Sequence, residues 1–167
     1  MLRSSSTSVK GVMQLFSKIL VPLDGSEHSL KALEEAAQIA KKFSGKLTLI
    51  HVYSVQPIVM PEPSTTGSLS IPIVTGDEVS MMIEAARKFG NKILEDGEKR
   101  INTSEVQVEK MLVEGHAVEE IVNAAKQGNF DLIAIGARGV SHWREMLLGS
   151  VTDGVIHHVR CPVLVIK

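Results

Sequence analysis

Three short stretches of this sequence carry residue types suited to holding an anion. Pro22-Leu23-Asp24-Gly25-Ser26 sets a carboxylate directly after an apolar run, Gly136-Ala137-Arg138-Gly139 follows another, and Gly149-Ser150-Val151 comes after nine intervening residues. Glycine has no β-carbon, so a loop built on Gly136, Gly139 and Gly149 brings backbone N–H groups close to phosphate oxygens, and a helix beginning near Ser150 adds its positive end. Arg138 brings a permanent charge, either to clamp a phosphate or to face water. Plainer roles exist for each: Asp24 as an Asx-turn residue, Ser150 and Asp153 as a capping-box pair with Asp in place of Glu, the glycines as caps and tight turns. The company of Asp24 with two glycine clusters favours anion binding over those.

Other chemistries find little support. The phosphate loop G-x-x-x-x-G-K-[ST], the hydrolase elbow G-x-S-x-G and the dinucleotide fingerprint G-x-G-x-x-G do not occur. Near the glycine loop the carboxylates are Glu145 and Asp153, neither with an obvious catalytic partner, so binding is expected rather than efficient turnover. The six histidines (His28, His51, His116, His142, His157, His158) form no i, i+4 pair with metal-ligand character. Cys161 precedes a proline and leads into an apolar run, which suits packing better than nucleophilic attack. Met81 and Met82 are expected in a helix core.

These motifs need rigid elements behind them. Ile19 to Leu23 is a continuous apolar run, as in a strand buried on both faces, and Asp24-Gly25-Ser26 supplies turn and N-cap chemistry. The next segment, to Phe43, spaces Leu30, Leu33, Ala37 and Ala40 as a helix that Gly45 stops. Leu47 to Tyr53 predicts a second strand and Val106 to Val113 a third, whose early alternation predicts a wetter face near a sheet edge. Leu132 to Ile135 predicts a fourth and Val163 to Ile166 a fifth. A long helix runs from Val79 to Ile101, interrupted by Gly90 and Gly97, and another carries Val118, Ile121, Val122 and Ala125. Strands alternating with helices imply crossover units, a mostly parallel sheet and an α/β fold. In such sheets ligands bind beyond the carboxyl ends of the strands, where the three motifs fall.

The chain has 167 residues, enough for one core of moderate size. Residues 18–167 are expected as a single domain. Residues 1–17 form a loosely ordered extension, with Val12, Met13, Leu15 and Phe16 as a patch to dock on the domain or a partner. The stretch 54–78, rich in Pro, Ser, Thr and Gly, is expected as a mobile or functional insert. Eighteen basic against nineteen acidic side chains give a net charge of −1, which argues against nucleic acid as a partner. One cysteine excludes a disulfide framework and fits a reducing, cytoplasmic compartment. No apolar run approaches the roughly 20 residues of a membrane span.

The spacing Gly136-x-x-Gly139-x9-Gly149-Ser150, the Pro22-Leu23-Asp24-Gly25-Ser26 opening and the ending Cys161-Pro162-Val163-Leu164-Val165-Ile166 together resemble the ATP-binding branch of the universal stress protein family, from Lys18 to Lys167. The resemblance implies a five-stranded parallel sheet of order 3-2-1-4-5 with helices on both faces. It implies that Asp24 accepts from the ribose hydroxyls, that Pro22, beside Leu23, lies against the adenosine, and that the Val52 backbone pairs with adenine. Ile135, Gly136, Gly139, Gly149, Ser150 and Val151 are implied to line the sugar and phosphates, with Arg138 at a variable position. ATP, with or without magnesium, is the implied cofactor. A homodimer pairing residues 163–166 antiparallel with a second copy is the implied assembly, covering an otherwise bare apolar edge. The expected function is a nucleotide-dependent dimeric switch in a stress response, acting on an unidentified protein partner, with little or no hydrolysis. The alternative is a slow ATP hydrolase or nucleotidyl-transfer enzyme.

Overall fold

The computed structural model describes residues 15–55, 76–101, 103–140 and 148–167. In chain order the elements are β1 (Lys18–Pro22), α1 (Glu27–Phe43), β2 (Lys46–Tyr53), α2 (Gly76–Glu98), β3 (Gln107–Glu114), α3 (Ala117–Gln127), β4 (Leu132–Gly136), α4 (Ser150–His158) and β5 (Val163–Ile166). All strand pairs are parallel and the order is β3-β2-β1-β4-β5, as expected. Chain order therefore reverses beside β1, and β4 lies against it with Ile19 opposite Leu132.

Side chains alternate across the sheet, and both faces are apolar. Ile19, Val21, Leu47, Leu49, Leu132 and Ala134 pack with Leu33 and Ala36 of α1 and with Ile93 and Leu94 of α2. Leu20, Ile50, Ile133 and Ile135 pack on the other face with Ile121 and Ala125 of α3 and Val155 of α4. β3 stands at one edge, and its exposed Gln107, Glu109 and Lys110 account for its wetter pattern. Such charges also discourage edge-to-edge pairing there.

The helices depart from expectation in three places. α1 starts on Ser26, whose Oγ accepts the Ser29 N–H at 3.2 Å, but its end is Ser44 in the left-handed region (φ 53°), not Gly45. Gly45 serves a different need, since a β-carbon there would collide with the Phe16 carbonyl oxygen. α2 runs uninterrupted through Gly90 and Gly97, both buried where the helix lies close to the sheet. Met81 and Met82 are not in the core but 70% and 42% exposed. The buried residues of α2 are Gly90, Ile93, Leu94 and Gly97, so only its second half rests on the sheet. Helical periodicity in the first half marks a stripe that the described residues cover only in part, with Val79, Ile83 and Ala86 half-buried and Met82 exposed.

The entry to the domain is tightly held. The Asp131 carboxylate accepts the Ser17 N–H (2.8 Å), the Ser17 hydroxyl (2.7 Å) and the Lys18 N–H (3.1 Å). Phe16 meets Phe43 edge-on with ring centroids 5.3 Å apart, so the end of the expected extension docks on the domain. The rest of that extension (1–14), the core of the expected insert (56–75) and residues 141–147 lie outside the described residues. No helix among the described residues is long and apolar enough to cross a membrane.

Candidate functional site

The carboxyl ends of β1, β2 and β4 and the first turns of α3 and α4 border one crevice of ≈ 200 Å³. All the site residues expected from sequence line it. Pro22, Leu23 and Asp24 come from the end of β1, Val52 from β2, and Ile135, Gly136, Arg138 and Gly139 from β4 and the loop after it. Gly149, Ser150 and Val151 come from the start of α4. Residues as far apart in sequence as Pro22 and Val151 are thus brought together by the adjacency of β1 and β4.

Asp24 is fixed by its own turn. Gly25 takes φ +82°, which L side chains rarely adopt. Asp24 Oδ1 accepts the Ser26 N–H (3.0 Å) and the Ser26 hydroxyl (2.6 Å), while Oδ2 accepts the Val140 N–H at 3.1 Å from across the crevice. The Asx-turn role is therefore real and coexists with a second oxygen that bonds the loop after β4. Among the described lining residues Asp24 is the single carboxylate, and Arg138, half-buried, is the single permanent cation.

The glycines act through close approach. A β-carbon on Gly136 would sit 2.7 Å from the His28 carbonyl carbon and 2.8 Å from the Ser29 nitrogen, both backbone atoms that cannot step aside. One on Gly139 would press on Asp24 Oδ2 at 2.5 Å. Gly149 donates its N–H to the Ala137 carbonyl at 2.8 Å, returning the chain to the end of β4.

Ser150 is not the cap that its spacing from Asp153 suggests. Gly149 is the N-cap of α4 and offers no side-chain hydrogen bond; Ser150 is already the first helical residue, exposed at the crevice mouth. Asp153 carries no capping role for its side chain and lies 3.7 Å from His157 Nδ1. The first intrahelical bond is made by the Asp153 N–H to the Gly149 carbonyl. The amides of Ser150, Val151 and Thr152 thus precede it, leaving donors at the positive end of the helix for a ligand.

Several lining residues escaped sequence reasoning, among them Val140, Thr152 and His51. Val140 contributes a backbone amide, which no side-chain pattern announces. Thr152, buried, donates its hydroxyl to the Gly136 carbonyl at 2.7 Å and so ties α4 to the glycine turn. His51 lines the crevice beside Val52, with Nδ1 2.7 Å from the Leu23 carbonyl. The signal for His51 was its place one residue before Val52, where strand alternation turns the two side chains to opposite faces.

Cys161 packs beneath the α3–α4 face, and burial pushes its thiol pKa up, consistent with a packing role. Among the described residues no group of three or more His, Cys, Asp or Glu side chains is placed to hold a metal. A second hollow, ≈ 350 Å³, lies between β3 and α3, spanned by the Lys46–Glu109 ion pair. It is bordered by the C-terminal end of α3 at Gln127 and Gly128 rather than by a helix N-terminus, so it lacks the helix amides that the crevice offers an anion.

Comparison with known proteins agrees with this fold. Residues 15–167 match the model of the universal stress protein family. The chain is 37% identical over 153 residues to universal stress protein YxiE of Bacillus subtilis, covering 92% of this chain and 100% of that one. Its fold resembles that of universal stress protein UspA from Lactobacillus plantarum, with a TM-score of 0.73 and 25% identity over 92% and 99% of the two chains. It also resembles a universal stress protein solved in complex with cAMP, with a TM-score of 0.61 and 25% identity over 92% and 98%.

Proposed function

The chain belongs to the universal stress protein family, and from that premise we propose that it is an ATP-binding regulatory protein of the stress response. The observation that carries the reading is the pairing of Asp24 with the start of α4 across one crevice: a hydroxyl acceptor on one side, unclaimed helix amides on the other. In this reading Asp24 takes the ribose hydroxyls and the Val52 backbone takes the adenine edge, with Pro22 and Leu23 beside the nucleoside. Ile135, Gly136 and Gly139 bound the sugar. The phosphates lie against Gly149, Ser150 and Val151, with Arg138 within reach of the same end.

The donor set fits a polyphosphate well. The amides lie at a helix N-terminus, where the macrodipole favours negative charge, and the glycines keep side chains out of the way. Magnesium, when present, is brought by the phosphates, as Mg²⁺ commonly is in nucleotide sites. What favours binding over hydrolysis is the state of the one lining carboxylate: Asp24 is engaged by Ser26 and Val140, and no second carboxylate among the described lining residues stands ready to activate water.

The output of the switch is a homodimer. β5 is a sheet edge of four apolar residues, all partly exposed, and pairing it antiparallel with a second copy satisfies its outward backbone groups. Nucleotide at the crevice sits at the end of β4, next to β5, so loop ordering there reaches the dimer edge directly.

Calorimetric titration of the full chain with ATP, ADP, AMP and cAMP tests the reading, together with mass analysis of any small molecule released on denaturation. Saturable heat with an adenine nucleotide is expected, with ATP the tightest. No heat with any of the four overturns it. Sustained phosphate release at many equivalents per chain would transfer the site to the slow-hydrolase reading.

A further inference from the structure

Leu23 is the first residue beyond β1, and both of its backbone groups are claimed by β2. Its N–H donates to the Ile50 carbonyl at 2.8 Å. Its carbonyl, which strand pairing would leave without an amide once the chain turns at Asp24 and Gly25, lies 2.7 Å from His51 Nδ1. A carbonyl only accepts, so Nδ1 must carry the proton, which fixes the tautomer of the neutral ring. Leu23 is 3% exposed, and a buried carbonyl left without a donor is costly, so the bond has consequences for the turn.

We infer that His51 is a positioning residue for the nucleotide site: its Nδ1–H holds the Leu23 carbonyl, and with it the peptide from which the Asp24 carboxylate is aimed. The ring has its place because α2 presents Gly90 there. A β-carbon at Gly90 would lie 2.7 Å from His51 Cδ2 and 3.3 Å from Nε2. The buried half of α2 thereby reaches the site through the His51 imidazole as well as through Gly97 against Leu23 and Ile93 beside Gly25, and the imidazole is the contact that holds the Leu23 carbonyl. The inference rests on the nucleotide reading for its functional meaning, but not for its structural test.

Two variants separate donor from bulk. His51→Phe keeps an aromatic ring and removes the donor; His51→Asn places an amide nitrogen where Nδ1 stood. ATP and 2′,3′-dideoxy-ATP, which lacks the hydroxyls Asp24 accepts, are titrated into each full-length protein, and amide exchange is followed without nucleotide. His51→Phe is expected to weaken ATP about tenfold, the worth of one such hydrogen bond, and to leave dideoxy-ATP unchanged. It should also speed exchange of the Ser26 and Val140 amides bonded to Asp24, but not those of Leu20 and Val21. His51→Asn should restore both ATP affinity and protection.

Wild-type ATP affinity in a folded His51→Phe overturns the inference, as does equal loss for the two nucleotides or failure of Asn to restore. If Phe prevents folding, His51→Gln takes its place, since its amide reaches the Nε2 position instead, and the same expectations apply. Should the unaltered chain bind neither nucleotide, the binding reading falls, while the exchange comparison still decides whether His51 positions the turn.

Discussion

Asp24 Oδ2 and the Val140 amide are joined by a 3.1 Å hydrogen bond that closes the loop after β1 onto the loop after β4. A carboxylate offers about four lone-pair sites. Ser26 occupies two through its N–H and hydroxyl, and Val140 a third. One incoming hydroxyl can be accepted without disturbing the loops. A vicinal pair of hydroxyls requires one resident donor to leave, and Val140, 65% exposed, is the donor with least around it.

Replacing Asp24 by Ala removes the acceptor and the inter-loop bond together. Hydrogen bonds to charged groups are worth about 1.5–3 kcal/mol, so ATP affinity should fall about ten- to a hundredfold by calorimetry. The Val140 amide should exchange faster even without nucleotide. Unchanged affinity in a folded variant would remove Asp24 from the ribose role.

Gly149 sets stability against binding. Its φ of −74° and ψ of 154° suit any N-cap residue, and a β-carbon there meets nothing closer than 3.4 Å. Gly149→Asp should therefore cap α4 and raise the melting temperature, with a gain of a few tenths to about 1 kcal/mol. The same carboxylate claims the amides offered to phosphate and repels it, so ATP affinity should drop by more than about tenfold. A variant both less stable and equally tight would contradict the assignment of those amides.

Gly136 and Gly76 make a matched contrast. The first is hemmed in by His28 and Ser29 backbone, and the second has nothing within 4 Å of a built β-carbon. Gly136→Ala should cost about 1–3 kcal/mol through overpacking, lowering the melting temperature by several degrees. Gly76→Ala, in the first turn of α2, should be neutral or stabilising by less than about 1 kcal/mol. Thermal denaturation of the two variants side by side checks both.

The geometry of β5 allows its outer edge to be altered alone. Ile133 N–H bonds to the Pro162 carbonyl and Ala137 N–H to the Ile166 carbonyl, so by strand alternation Val163 and Val165 point their backbone groups away from β4. Val165→Pro should thus remove an outward N–H and leave the internal ladder intact. A monomer with unchanged circular dichroism is the expected result by sedimentation.

Cys161 offers a pH signature. Burial disfavours its thiolate and raises the folded-state pKa above the ordinary thiol value. Because the neutral form is the one favoured by folding, the contribution is full below the unfolded pKa and is lost as pH rises through the folded one. Alkylation of the native protein should begin at higher pH than alkylation of the unfolded chain, read by mass shift against pH.

β1, β2, β4 and β5 were legible because each is a mainly apolar run, which a parallel sheet covered on both faces allows without alternation, and β3 was legible from the alternation that suits an edge. The site was legible through Asp24 and the glycines, whose types are unusual for what surrounds them. What escaped lies in relationships that one segment does not contain. The stripe through Met82 has helical period, but period cannot say whether a sheet lies beneath it. The Ser150–Asp153 spacing fits a cap, yet the helix begins one residue earlier on Gly149. Val140 acts through its main chain, and the Leu23 carbonyl needs His51 because β1 ends at Pro22 while β2 runs on to Tyr53.

The clamp of Asp131 on Ser17 and Lys18 settles how this molecule should be tethered. It sits at the amino end of β1, a strand's length of roughly 17 Å from the crevice, whereas Ile166 ends beside Ala137 at the rim of the site. An affinity label or surface linkage placed ahead of Ser17 leaves the mouth open to small molecules, while the same appendage after Lys167 crowds both the mouth and the outer edge of β5.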